Sequence, residues 1–167
     1  EINMPLTITE GALTFTFSEE AHVIKYDDSI HYRNQFHNRC YKDNKAVDFI
    51  AYENSIAWLC EIKDFRQGRR NPEKIPLYNE IAIKVRDSLA GLVSAKLQAS
   101  DDDEKNFAKE VLKCKKINII FHIEQSSLIY NLSDLQDKLR QLLKAIDPHV
   151  KVMNKTHSCS NIPWSVT

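Results

Sequence analysis

The stretch Ile-Asn-Ile-Ile-Phe-His-Ile at 117–123 limits the possible folds more than any other part of the chain. It is almost continuously apolar and rich in β-branched residues, so it reads as a strand buried on both faces. A strand of this kind needs cover on both sides. The flanking sequence supplies the helices. Leu77, Ile81, Val85, Leu89 and Leu92 recur at spacings of three and four and form one apolar stripe on a long helix after Pro76. Ser100 and the acids at 101–104 open a second helix, and Lys113, Lys115 and Lys116 close it, the signs the helix dipole favours at each end. Ser133 to Gln136 has the form of a capping box for a third, with Leu135, Leu139, Leu142 and Ile146 inward and a stop at Asp147-Pro148.

The strands are read from period-two patterns and turn residues. Residues 12–17 alternate Leu13, Phe15 and Phe17 against threonine. Residues 45–52 and 55–65 form two strands joined at Glu53-Asn54-Ser55, and 150–153 a last short one. Tyr32 and Phe36, four apart, suggest a helix within 27–39. No repeat or flexible linker divides the chain, so its 167 residues are expected to form a single α/β domain, 1–167. The chain opens on Glu1, which leaves Met4 as a candidate native start.

Composition narrows the function classes. Formal net charge is zero, so contact with nucleic acid has to come from local patches. No apolar run reaches the roughly 20 residues that cross a bilayer, and no signal-peptide pattern opens the chain, so a cytoplasmic location and no membrane partner are expected. Cys40, Cys60, Cys114 and Cys159 are too scattered for a disulfide framework, which suits a reducing compartment. The pairs His37/Cys40 and His157/Cys159 lack the tight spacing of a zinc site and read as polar surface segments.

The chemistry concentrates in one hairpin. Along residues 56–63, Ile56, Trp58, Cys60 and Ile62 point one way and Ala57, Leu59, Glu61 and Lys63 the other. Glu61 and Lys63 are thus neighbours about 6.5–7 Å apart along the strand. If Asn54 and Ser55 form the turn, Glu53 faces Ile56 and Asp48 faces Glu61. Two facing carboxylates repel unless something neutralises them. A divalent cation such as magnesium, which takes oxygen ligands, reverses that cost. A salt-bridged sheet surface, with Lys63 neutralising both acids, is the alternative. The loop at 61–74 holds five cations and three anions, and its Arg66, Arg69 and Arg70 are candidates for phosphate contact. Glu80 and Lys84 read as a surface ion pair on the following helix. His122 and Glu124 share a face at the end of their strand, with His122 favoured as a core residue. Trp58 reads as core, and Trp164 as a cap over an apolar surface or a dimer contact.

Asp48, twelve residues, then Glu61-Ile62-Lys63 resembles the signature of the PD-(D/E)xK nuclease superfamily, over roughly residues 27–123. "KAVDF", "KVRDSLAGL" and "LLKAIDPH" also resemble small stand-alone bacterial members. Val47 stands where the family often has proline. The resemblance implies a restriction-endonuclease-like mixed central sheet flanked by helices, and metal-dependent hydrolysis of DNA phosphodiesters. It implies Asp48, Glu61 and the Ile62 backbone carbonyl as ligands of Mg²⁺, with Mn²⁺ able to substitute, and Lys63 beside the attacking water. DNA is the implied partner, with a homodimer or a protein partner needed for sequence-specific cleavage. An inactive nucleic-acid-binding or interaction module of the same fold is the alternative. An extra acid near the first helix would be one of Asp27, Asp28, Glu19 or Glu20.

Overall fold

The computed structural model describes residues 6–167. The candidate start at Met4 lies outside them. Eight strands form two sheets: β1 (Thr7–Glu10), β2 (Leu13–Phe17), β3 (His22–Lys25), β4 (Phe49–Glu53), β5 (Ile56–Asp64), β6 (Lys116–Glu124), β7 (Lys151–Met153) and β8 (Trp164–Val166). Three helices accompany them: α1 (Leu77–Gln98), α2 (Asp102–Lys113) and α3 (Leu132–Leu143).

The central sheet has the order β3-β4-β5-β6-β7, and a smaller sheet has the order β1-β2-β8. β4 runs antiparallel to β5, whereas β5, β6 and β7 are parallel. The arrangement is mixed α/β, and both long crossovers are helical. α1 and α2 join β5 to β6, and α3 joins β6 to β7.

The sheet is covered differently on its two faces. Ala57, Leu59, Ile119 and Phe121 pack with Ile81, Val85 and Leu92 of α1, Val111 of α2 and Leu139 of α3. On the other face Trp58, Cys60, Ile62 and Ile120 meet Leu13, Phe15 and Phe17 of β2 and Trp164 of β8. Helices thus flank one face only. The alternating apolar residues of β2 cover the other, with Phe17–Phe49 and Phe49–Trp164 ring centroids each 5.1 Å apart. Trp164, buried in β8, caps the apolar face of the central sheet against Phe49 and Trp58. From Ile119 to Glu124 every residue of β6 is buried, while Lys116 at its start is exposed.

The β4–β5 turn fixes the register. Asn54 and Ser55 both have positive φ, 49° and 62°, the backbone of a type I′ turn, whose twist matches paired strands. Glu53 faces Ile56 and Phe49 faces Cys60, so the hairpin register inferred from the sequence holds. Two caps differ from expectation. Asp101, not Ser100, accepts from the Glu104 N–H at 2.9 Å, while the Ser100 N–H and hydroxyl donate to Gln35. Asn131, not Ser133, caps α3 by accepting from the Asp134 N–H at 3.1 Å. Ser133 already lies within the helix.

The segment at 26–37 makes only a 3₁₀ turn (Tyr26–Asp28) and a π-helical turn (Tyr32–Phe36). Tyr32 and Phe36 are both buried, as their spacing suggested. Glu104 holds this segment from α2, accepting from the Ile30 and His31 N–H groups at 2.7 and 2.8 Å. Its docking on α1 depends on Gly91. A Cβ there would sit 1.9 Å from the Tyr26 hydroxyl. Gly91→Ala is expected to cost about 1–3 kcal/mol of stability, measured by urea unfolding. Adding Tyr26→Phe, which removes that oxygen, is expected to recover part of the loss.

Candidate functional site

Charged side chains meet where the end of the β4–β5 hairpin packs on the first turns of α1. The ladder ends at Phe49 and Cys60; just before it, the Asp48 N–H donates to the Cys60 carbonyl at 3.1 Å, and Asp48 lies beside Glu61. Glu61 is 1% exposed. Its Oε1 accepts from Lys84 Nζ at 2.6 Å and lies 3.1 Å from Lys63 Nζ. Its Oε2 is buried, with no hydrogen-bond partner among the described residues. Lys63 Nζ also lies 3.3 Å from Glu80 Oε1, and Arg70 Nη2 donates to Glu80 Oε2 at 2.5 Å. The result is a chain of alternating charge, Lys84–Glu61–Lys63–Glu80–Arg70, across strand, helix and loop.

Its electrostatics follow from burial and from which charges face each other. Burial and the facing Glu61 push Asp48 up to about 8, against the weaker pull of Lys84 and of the Ile62 N–H. That N–H donates to Asp48 Oδ2 at 2.6 Å. Burial, then the neighbouring Asp48, push Asp27 up to about 6, and its Oδ1 has no partner. Burial also acts to raise Glu80, but Lys63 and Arg70 outweigh it and hold the carboxyl at about 2. Burial acts to lower Lys63, but Glu61 and Glu80 outweigh it and raise it.

The sequence reading brought Asp48, Glu61 and Lys63 together, and the structure does the same. The salt-bridged alternative is half right: Lys63 is bound to Glu61, while Asp48 pairs with no cation among the described residues. Ile62 meets Asp48 through its N–H. Of the candidate extra acids, Asp27 adjoins Asp48. Asp28 instead pairs with Lys25 and Arg33, and Glu19 and Glu20 lie in an exposed turn.

Other expectations change. Glu80 and Lys84 are not a surface pair; each is turned inward and bound to the hairpin. Their signal was present, because both fall on or beside the apolar stripe of α1, where a charge needs a buried partner. The three loop arginines do not act as a free set. Arg66 is held by Asp64 through two bonds, at 2.9 and 2.6 Å. Arg70 is held by Glu80, and Arg69 alone is exposed without an ion pair among the described residues. His122 and Glu124 bond to each other at 2.9 Å on the opposite face of the sheet, where His122 packs on Phe15. The His37 ring bonds to Tyr32 and to the Asn44 carbonyl. Among the described residues no three His, Cys, Asp or Glu side chains are grouped to hold a metal. Asp48 and Glu61 nevertheless suit a hard divalent cation that keeps most of its waters. Each is an oxygen donor, and among the described residues the buried Oε2 of Glu61 has no hydrogen-bond partner.

The fold and site therefore define a mixed α/β protein with a buried ionic cluster between a hairpin and a helix. No protein-family model and no solved structure matches the chain. It is similar to a cysteine–tRNA ligase of Neisseria meningitidis serogroup A, with 40% identity over 167 aligned residues, covering 83% of this chain and 24% of that protein. The chain thus spans about a quarter of that relative's length. This similarity overturns the reading as a DNA endonuclease. Asp48, Glu61 and Lys63 form a charge cluster, which is not evidence of DNA cleavage. No helix among the described residues is long and apolar enough to cross a membrane.

Proposed function

We propose that the chain is a module of a tRNA-ligase-type protein and that it engages tRNA through the ionic cluster at the β5–α1 face. The observation that carries this reading is the 40% identity with a cysteine–tRNA ligase. The cluster supports it chemically. Lys63 and Lys84 reach the edge of the cluster with side chains 23% and 16% exposed. The carboxylates behind them hold their ammonium groups in place, ready for phosphate oxygens. A magnesium or manganese ion held by Asp48 and Glu61 would add positive charge at the same place. The antiparallel β4–β5 hairpin followed by the parallel β6 supports a restriction-endonuclease-like reading of the sheet, which by itself says nothing of activity.

The test is filter retention of a tRNA transcript and of duplex DNA of equal length over a salt series. The protein is expected to retain tRNA more tightly than DNA. Lys63→Ala is expected to weaken tRNA binding and to lower its salt slope by about 1. Equal retention of both nucleic acids, or none of tRNA, would refute the reading.

A further inference from the structure

A groove of about 580 Å³ opens between the loop after β5 and the N-terminal turns of α1 and α3. This volume is within the usual range for small-molecule sites. The sequence makes it amphipathic. Tyr78 and Tyr130 supply aromatic surface, and Arg70, Lys74 and Lys138 supply three cations against one acid, Asp134. Lys74 and Lys138 are exposed, and no ion pair among the described residues engages either.

Tyr130 is held in place before any ligand arrives. Gln125 donates to its carbonyl at 2.8 Å and accepts from its N–H at 3.1 Å, and the Phe65 ring lies 5.7 Å away. The N-cap of α1 is Pro76, which has no side-chain oxygen to offer. The first N–H groups of that helix thus have no side-chain acceptor of their own and add positive character to the groove. Arg70 links the groove to the ionic cluster, lining the one while donating to Glu80 in the other.

We propose that this groove binds one unpaired nucleotide of an RNA strand, its base against Tyr78 and Tyr130 and its phosphate beside Lys74 and Lys138. Aromatic faces with flanking cations are what unpaired nucleotides use, and stacking tolerates any base. The concave shape excludes duplex, whose bases stay within the stack. The choice of RNA rests on the tRNA reading above; the groove's preference for an unpaired nucleotide rests on its own lining.

The test uses the whole chain and a short fluorescent single-stranded oligoribonucleotide of mixed sequence, followed by anisotropy. Tyr130→Ala is expected to weaken binding by about tenfold, and Tyr130→Phe to retain it. Lys138→Glu, at an exposed position where folding is not at stake, is expected to weaken it as well. Lys96→Ala, on an exposed part of α1 outside the groove, is expected to change nothing. With 4-thiouridine in the oligonucleotide, ultraviolet cross-links are expected on peptides holding Tyr78 or Tyr130. Absence of oligonucleotide binding, affinity unchanged by both Tyr130→Ala and Lys138→Glu, or cross-links confined to other surfaces would overturn the proposal. Binding of the oligonucleotide without preference for tRNA over DNA would leave the groove standing and count against the tRNA reading alone.

Discussion

Lys84→Met is expected to destabilise the protein by about 3 kcal/mol, the low end for breaking a buried ion pair. Methionine keeps most of the lysine stem and removes only the charge. Glu61 then keeps Lys63 at 3.1 Å but loses its 2.6 Å partner, and its second oxygen already has none. A carboxylate so deeply buried has no water to turn to. For a chain of this size the loss corresponds to roughly 6–12 °C in melting temperature, measured by calorimetry. The double variant Lys84→Met, Glu61→Gln is expected to recover much of it, because a neutral amide leaves no unpaired charge. If the double variant is less stable than Lys84→Met alone, the 2.6 Å pair is not what Lys84 contributes.

Asp48→Asn is expected to reverse part of the protein's dependence on pH. In the folded chain Asp48 keeps its proton up to about 8, whereas in the unfolded chain it ionises near 4. Its favourable contribution is complete below the unfolded value and is lost as pH rises toward 8. The stability of the wild type relative to Asp48→Asn is therefore expected to fall by about 1.4 kcal/mol per pH unit between pH 5 and 7.5. Asparagine Oδ1 can still accept the Ile62 N–H, so the comparison isolates the titration. Taking the difference also cancels His122, which burial holds below its ordinary value on the other face, and Glu80, whose contribution is lost only in acid. Urea unfolding at a series of pH values measures it. A difference that does not vary with pH would mean that Asp48 is ionised in the folded protein.

The same variant tests the cation. An ion at Asp48 has to displace its proton, so magnesium is expected to bind more tightly as pH rises toward 8. It is expected to raise the wild-type melting temperature at pH 8 and to leave Asp48→Asn unmoved. Equal shifts in both proteins would place the ion elsewhere.

How much of this was legible beforehand depends on the range of the interaction. The β4–β5 hairpin was readable because its register depends on two turn residues and on the strict alternation of strand faces. Asn54 and Ser55 at positive φ then set Glu53 against Ile56 and Phe49 against Cys60 without help from the rest of the chain, which brings Asp48 beside Glu61. The apolar run of β6 likewise required cover on both faces, and the stripe of α1 required a sheet to pack on. Local sequence could not say what would supply the second cover. β1, β3 and β8 are three or four residues long, too short for a period to stand out, and only packing makes β2 and Trp164 the lid over Trp58 and Cys60.

The ionic cluster divides in the same way. Glu61 and Lys63 share a face by the geometry of one strand. Glu80, Lys84 and Arg70 reach them only because α1 and the loop before it fold back over the hairpin, between 10 and 23 residues of chain closing each contact. Burial decided the rest. A carboxylate in water needs no partner, so the only local mark of Glu80 was its place beside the apolar stripe of α1, and the partner it would find there was not written in the spacing of charges. Once the helix docked, the loss of water made pairing compulsory and bound Arg70 to Glu80, while Arg66 pairs locally with Asp64 two residues away.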